Sequence, residues 1–192
     1  MAIVESVSGR PLPQVYQQEI FEPLGLHNIW LPEQPPNELE MAPATVWAGD
    51  RPLDLPLALR SIRDLYSTTA DLILFLRSLI TGSLFSDPQT ARIMSGRFRR
   101  FTRFWDRSAF RLPQSPIEYG AGMMRLALPR VLTPLRRIPP VIGHTGSTGT
   151  WLFYCEDFDL YLAGCVDQAT AGPLPFRFVP RVLHEIAGRH TG

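Results

Sequence analysis

Two apolar runs constrain this chain more than anything else in it. Thr150-Trp-Leu-Phe-Tyr-Cys155 and Leu160-Tyr-Leu-Ala-Gly-Cys-Val166 are joined only by Glu156-Asp157-Phe158-Asp159. A strand with one wet face alternates apolar and polar residues. These runs do not, so they predict a hairpin covered on both faces. One cover is visible downstream, where Val179, Val182, Leu183 and Ile186 recur at i, i+3, i+4, i+7, the stripe of an amphipathic helix. The hairpin register sets Cys155 opposite residue 160 and leaves Cys165 roughly 17 Å further along at strand rise. That is beyond disulfide reach, and two free, buried thiols are expected.

The rest of the chain supplies the other layers. Ile3, Val4 and Val7 share one helical face before Gly9, so the opening reads as the last turns of a helix, as in a chain that begins part-way through a fold. Leu12, Val15, Tyr16 and Ile20 continue at helical spacing until Pro23, which should forbid continuation. From Trp30 to Leu57, prolines at 32, 35, 36, 43, 52 and 56 break every period. Extended surface chain with at most short strands is expected there, a wall or a wrapped loop. Thr68-Thr69-Ala70-Asp71 is a capping box opening a core helix that Gly82 stops. Asp87-Pro88 opens another. Strands are expected near 119–126, 141–146, 150–155 and 160–166, in an antiparallel sheet flanked by helices. The fold class is α+β, an α/β sandwich, with 1–118 helical and loop-rich and 119–192 holding the late strands and the C-terminal helix.

Composition narrows the function. With 45% hydrophobic residues in 192, the chain can bury one domain core, and a net charge of +1 gives no long-range field to gather phosphates. No run approaches a transmembrane span, and Met1-Ala-Ile-Val-Glu-Ser lacks the charged start and apolar run of a signal peptide. All 19 basic residues are arginine. Codon bias in a GC-rich genome accounts for this preference, and it excludes any mechanism that needs a lysine within these residues. No Cys/His spacing suggests a metal, and no cofactor is expected. His27, His184 and His190 read as surface or structural residues.

The densest chemistry lies in Gly143-His144-Thr145-Gly146-Ser147-Thr148-Gly149. Glycine there permits close backbone approach, and His, Thr and Ser bind carboxylates or move protons. A tight glycine-rich β-turn with incidental polar residues would look the same. Ser147 makes a poor nucleophile candidate, because Thr-Gly-Ser-Thr-Gly misses the first glycine of the Gly-x-Ser-x-Gly elbow and no helix follows it. In Arg97-Phe-Arg-Arg-Phe-Thr-Arg-Phe-Trp-Asp-Arg107, Arg and aromatic residues interleave as in nucleic-acid-binding or membrane-surface segments. Phe98, Phe101 and Trp105 nevertheless fall at helical spacing and can pack inward, so no nucleic-acid partner is expected.

Four phrases, in order, resemble the β-lactamase-like serine hydrolases, which include class C β-lactamases, penicillin-binding D-Ala-D-Ala peptidases and related esterases of bacteria. They are Ile20-Phe-Glu-Pro-Leu-Gly-Leu26, Leu65-Tyr-Ser-Thr-Thr-Ala-Asp-Leu72, Tyr119-Gly-Ala-Gly-Met123 and Gly143-His-Thr-Gly146. Arg63-Asp64 departs from the small pair, usually Gly-Gly, that precedes the second phrase. The resemblance implies the C-terminal half of a β-lactamase/transpeptidase-like fold. It gives His144 the Lys/His place beside the nucleophile, Thr145 a hydroxyl contact, Gly146 close approach of the strand to substrate, and the Ser147 N–H one oxyanion donor. The family's Ser-x-x-Lys and Tyr-x-Asn motifs do not occur in these residues. The resemblance thus implies acyl-serine hydrolysis of a β-lactam, a D-Ala-D-Ala peptide or a small ester, and only when a missing N-terminal half completes the site. Alone, the chain is expected to be inactive and prone to self-association through uncovered apolar surface. The alternative is a non-catalytic binding module derived from the same fold.

Overall fold

The computed structural model describes residues 2–35, 43–54, 64–100, 116–130, 133 and 137–189. Helix α1 (Ala2–Ser8) precedes α2 (Leu12–Tyr16), which runs on through a π turn (Gln17–Phe21) into a last turn (Glu22–Leu24). The helix therefore passes Pro23, contrary to expectation. A proline ring clashes with the carbonyl four residues back, and the π turn just before it widens the helix at that point.

Helix α3 (Thr69–Thr81) begins where expected. Thr68 Oγ1 accepts the Asp71 N–H at 3.2 Å, but the Asp71 carboxylate does not return to the cap. It is buried and accepts the Asn28 N–H at 2.6 Å, tying α3 to the chain that follows α2. Gly82, at φ +81°, ends the helix in the left-handed region. Helix α4 (Pro88–Gly96) is capped by Asp87 Oδ1 accepting the Gln89 N–H at 2.9 Å. Helix α5 (Pro175–Arg189) buries Val179 and Leu183 as its periodicity requires.

The described strands are β1 (Trp47–Ala48), β2 (Arg51–Pro52), β3 (Arg99–Arg100), β4 (Ile117–Tyr119), β5 (Met124–Leu126), β6 (Val141–Thr145), β7 (Thr150–Cys155) and β8 (Leu160–Cys165). β1 and β2 form a small hairpin, and β3 to β8 form an antiparallel sheet in sequence order. The fold is α+β. The segment expected as one strand over 119–126 is instead a hairpin, because Gly120 and Gly122 sit in its middle and the Gly120 N–H bonds the Met123 carbonyl at 2.8 Å. Within 97–107, residues 99 and 100 are strand rather than helix; Phe98 packs beneath the Arg125 guanidinium at 5.9 Å, while Phe101 and Trp105 lie outside the described residues.

Both covers required by the apolar hairpin are present. On one face Trp151, Phe153 and Cys155 of β7 pack with Met124, Val141, Val179 and Leu183. On the other, Leu152, Tyr154 and Tyr161 pack with Leu76 and Leu79 of α3 and with Met123. Cys155 pairs with Leu160 and is buried. Cys165 corrects the expectation of two buried thiols: it ends β8, opposite Thr150, and is exposed. Apolar neighbours in sequence do not bury a residue at the end of an edge strand.

Candidate active site

The four candidate residues come together at one end of β6, because they are contiguous, and the register makes that end open. β5 pairs only with Val141, Ile142 and Gly143, whereas β7 pairs through Thr145. His144 and Thr145 therefore run past the end of β5 with a strand on one side only. The Gly146 N–H bonds the Thr150 carbonyl at 2.8 Å, which fixes the antiparallel phase. His144 turns its backbone groups to β7, and Thr145 turns its own to the open side.

The outward carbonyl of Thr145 lies 2.7 Å from His144 Nδ1. A carbonyl oxygen only accepts, so Nδ1 carries the proton and Nε2 is the free ring nitrogen. The ring is exposed and meets Tyr119 edge-on, with centroids 6.1 Å apart. Strand alternation sends the two side chains apart: His144 shares the α3 face with Ile142 and Leu152, and Thr145 lies on the face of Val141. A ligand reaches both only by lying along the open flank. Ser147 is exposed in the turn, and its N–H has no acceptor among the described residues. Because β7 follows the turn, Ser147 is not on a strand-to-helix elbow.

Two of the glycines have reasons internal to the hairpin. A Cβ on Gly143 would strike the backbone of Leu152, and one on Gly146 would strike the Thr150 hydroxyl. Close packing of β6 on β7 thus requires glycine at 143, where the obstacle is backbone, whereas at 146 the obstacle is a side-chain hydroxyl that can rotate away.

Sequence reasoning missed what braces the turn. The Val166 N–H bonds the Gly149 carbonyl, and the Trp47 N–H bonds the Asp167 carbonyl. Gln168 clamps the β1–β2 hairpin with both ends of its amide, accepting the Gly49 N–H at 2.9 Å and donating to the Gly49 carbonyl at 3.0 Å. The loop expected to form a wall is thus fastened to the residues that brace the turn. Nothing in the spacing of Gly49 and Gln168 announces this pair; the single available signal was a hairpin turn at Gly49-Asp50.

Cys165 also lies beside this turn. Its thiol donates to Asp167 Oδ1 at 2.8 Å, and its sulfur stands 3.9 Å from the Thr148 carbonyl. Desolvation, then the bond to the carboxylate, push the thiol up to about 11. A thiol held protonated is a donor, not a nucleophile. Among the described residues no group of three His, Cys, Asp or Glu side chains is placed to hold a metal. A cavity of about 380 Å³ lies on α4, lined by Gln89, Arg92, Ile93, Gly96 and Arg97, and includes none of the four candidates. Of Arg63-Asp64, Arg63 lies outside the described residues, and Asp64 Oδ1 accepts the Leu65 N–H at 3.0 Å.

The family model for Beta-lactamase matches residues 1–173. The chain belongs to the β-lactamase family. This β-lactamase-family chain shares its fold with D-amino acid amidase from Ochrobactrum anthropi SV3. The complex of that protein with L-phenylalanine amide superposes with a TM-score of 0.72 at 20% identity, over 98% of this chain and 55% of that one. Its complex with L-phenylalanine gives 0.71 at 18% identity, over 98% and 56%; a further crystal structure of it gives 0.68 at 19%, over 96% and 54%. The family member described here thus spans little more than half the length of its solved relative. No curated protein matches it.

Proposed function

We propose that this chain is the substrate-facing C-terminal part of an acyl-transfer serine hydrolase whose nucleophile lies on polypeptide outside residues 1–192. The open flank of β6 carries the reading: it offers a fixed imidazole, a hydroxyl side chain and an unbonded N–H within four consecutive residues. The Ser147 N–H is one oxyanion donor, and loss of such a donor costs about 100-fold or more in rate. With Nδ1–H committed to Thr145, neutral His144 accepts a proton at Nε2, and protonated His144 presents Nε2–H to a substrate carboxylate. Thr145 adds its hydroxyl along the flank. The substrate is a small molecule with an acyl carbon open to a serine: a β-lactam, a D-Ala-D-Ala peptide, a small ester or, by likeness to the amidase, a D-amino acid amide.

Without lysine, these residues contain no Ser-x-x-Lys pair to activate a serine. That same fact favours the second reading, a non-catalytic binding module that keeps the flank and dispenses with chemistry. Labelling chain 1–192 with a fluorophosphonate, followed by intact mass measurement, tests the proposal directly. No adduct is expected; an adduct on any serine, Ser147 included, would place a working nucleophile inside the chain and sink the reading.

A further inference from the structure

The imidazole on the open flank has a neighbour from another strand. Tyr119 ends β4, and its backbone is fixed on both sides: it pairs with Met124 of β5 and with Arg99 of β3. The glycines after it close a tight turn, in which the Gly120 N–H bonds the Met123 carbonyl at 2.8 Å and the Gly122 N–H bonds the Gly120 carbonyl at 3.0 Å. A Cβ on Gly120 would strike the Arg97 carbonyl, so the turn packs tightly against the chain entering β3. The Tyr119 ring is thus carried by a frame in which His144 takes no part.

The two rings start from opposite faces of the sheet. Tyr119 stands opposite Met124, on the face of Ile117 and Val141, and His144 stands opposite Leu152, on the α3 face. They meet nevertheless, inclined at 62° with centroids 6.1 Å apart, within the range of edge-on ring pairs. β5 begins only at Met124, opposite Gly143, and leaves no strand residue between them at the level of His144.

Two contacts therefore bear on one exposed ring. The first is the bond from Nδ1 to the Thr145 carbonyl, 2.7 Å long and reaching only the next residue. One exposed hydrogen bond biases a side chain about fivefold, which by itself leaves a sizeable fraction of rings turned away. The Tyr119 ring supplies the second contact, and an edge-on pair adds about fivefold again. Nε2 is then the ring nitrogen with no bond among the described residues.

We propose that Tyr119 is the positioning residue for His144: its ring holds the imidazole in the orientation that keeps the Nδ1 proton on the Thr145 carbonyl and leaves Nε2 to the open flank. The proposal deepens the reading above and rests on it only for the use made of Nε2. Tyr119 acts through the imidazole, not on substrate.

Ring nitrogen-15 shifts of His144 in chain 1–192 test this, because in the neutral ring they report which nitrogen carries the proton. At about pH 9, well above the ordinary imidazole value, Nδ1–H should predominate about tenfold or more. Tyr119→Phe, which keeps the ring, should retain that preference, and Tyr119→Ala should lower it about fivefold while the β6 and β7 amide signals stay in place. Should the Ala variant fail to fold, Tyr119→Leu keeps bulk on the strand without a ring, and the same fall is expected. An unchanged distribution in the variant without a ring overturns the proposal, as does a parent ring protonated on Nε2. Loss of the preference in Tyr119→Phe would assign the effect to the hydroxyl and overturn it too. A fluorophosphonate adduct on chain 1–192 would sink the hydrolase reading and leave this assignment standing; an unmoved tautomer without an adduct does the reverse.

Discussion

The two faces of β7 are one residue apart in sequence and have different tasks. Toward α5, Phe153 and Cys155 are fully buried and meet Met124, Val141, Val179 and Leu183, all at most 1% exposed. Toward α3, Leu152 and Tyr154 are only half-buried, and the same face carries the exposed His144 one strand away. The α5 face is closed along β7 and holds the fold together. The α3 face is less closed and carries His144, while Thr145 lies on the α5 side of the β6 end, beyond that closed stretch.

Substitutions at adjacent positions test this division. Phe153→Ala empties the centre of the closed face and should cost about 3–5 kcal/mol, lowering the thermal midpoint by about 6–20 °C. Leu152→Ala, on the half-buried face, should lose less than half as much; an equal loss, read from urea midpoints, would erase the distinction. Thr68→Ala removes the cap of α3 and should cost about 1 kcal/mol. Histidine at 144 contributes almost nothing to the fold, so His144→Ala should leave the urea midpoint within about 0.5 kcal/mol of the parent. A larger drop would mean that the imidazole is a structural brace rather than a ligand-facing group.

The thiol beside the turn gives a pH test. Cys165 is raised from 9.0 to about 11, so the folded state holds that proton more tightly than the unfolded chain. Its stabilising contribution is complete below pH 9 and is lost as pH rises through 11. At pH 8 the thiolate fraction is about a hundredfold below that of an ordinary thiol. The greater basicity of the thiolate returns about tenfold of reactivity, so exchange with an aromatic disulfide should run about tenfold slowly. Asp167→Asn, tolerated at φ +49°, removes the carboxylate acceptor and should speed it.

What the sequence made legible was local or periodic. The β7–β8 hairpin and its Cys155–Leu160 register followed from turn length, α3 and α4 from their caps, and the packing of α5 from its stripe. Contiguity alone kept His144 to Ser147 together. The turn between β4 and β5 falls inside the single strand expected over 119–126, although the paired glycines 120 and 122 are themselves a turn signal. Pro23 was read by its rule in an ordinary helix, and a π turn escapes that rule. Cys165 was placed inside by its neighbours, yet exposure at a sheet edge depends on what lies beside the strand. The open flank of β6 depends on how far β5 extends, which no residue of β6 encodes.

The amide clamp between Gln168 and Gly49 joins residues 119 apart in sequence. Closing such a loop from an unfolded chain costs about 4 kcal/mol in entropy, more than two hydrogen bonds return. Once the sheet and α3 have formed, the free span shrinks to about twenty residues between Gly49 and Thr69. Loop entropy therefore makes the cheaper order of assembly the sheet first and the Trp47 hairpin afterwards. Breaking this clamp, together with the Trp47–Asp167 bond, frees the hairpin from the end of β8 and leaves every rung of the large sheet in place.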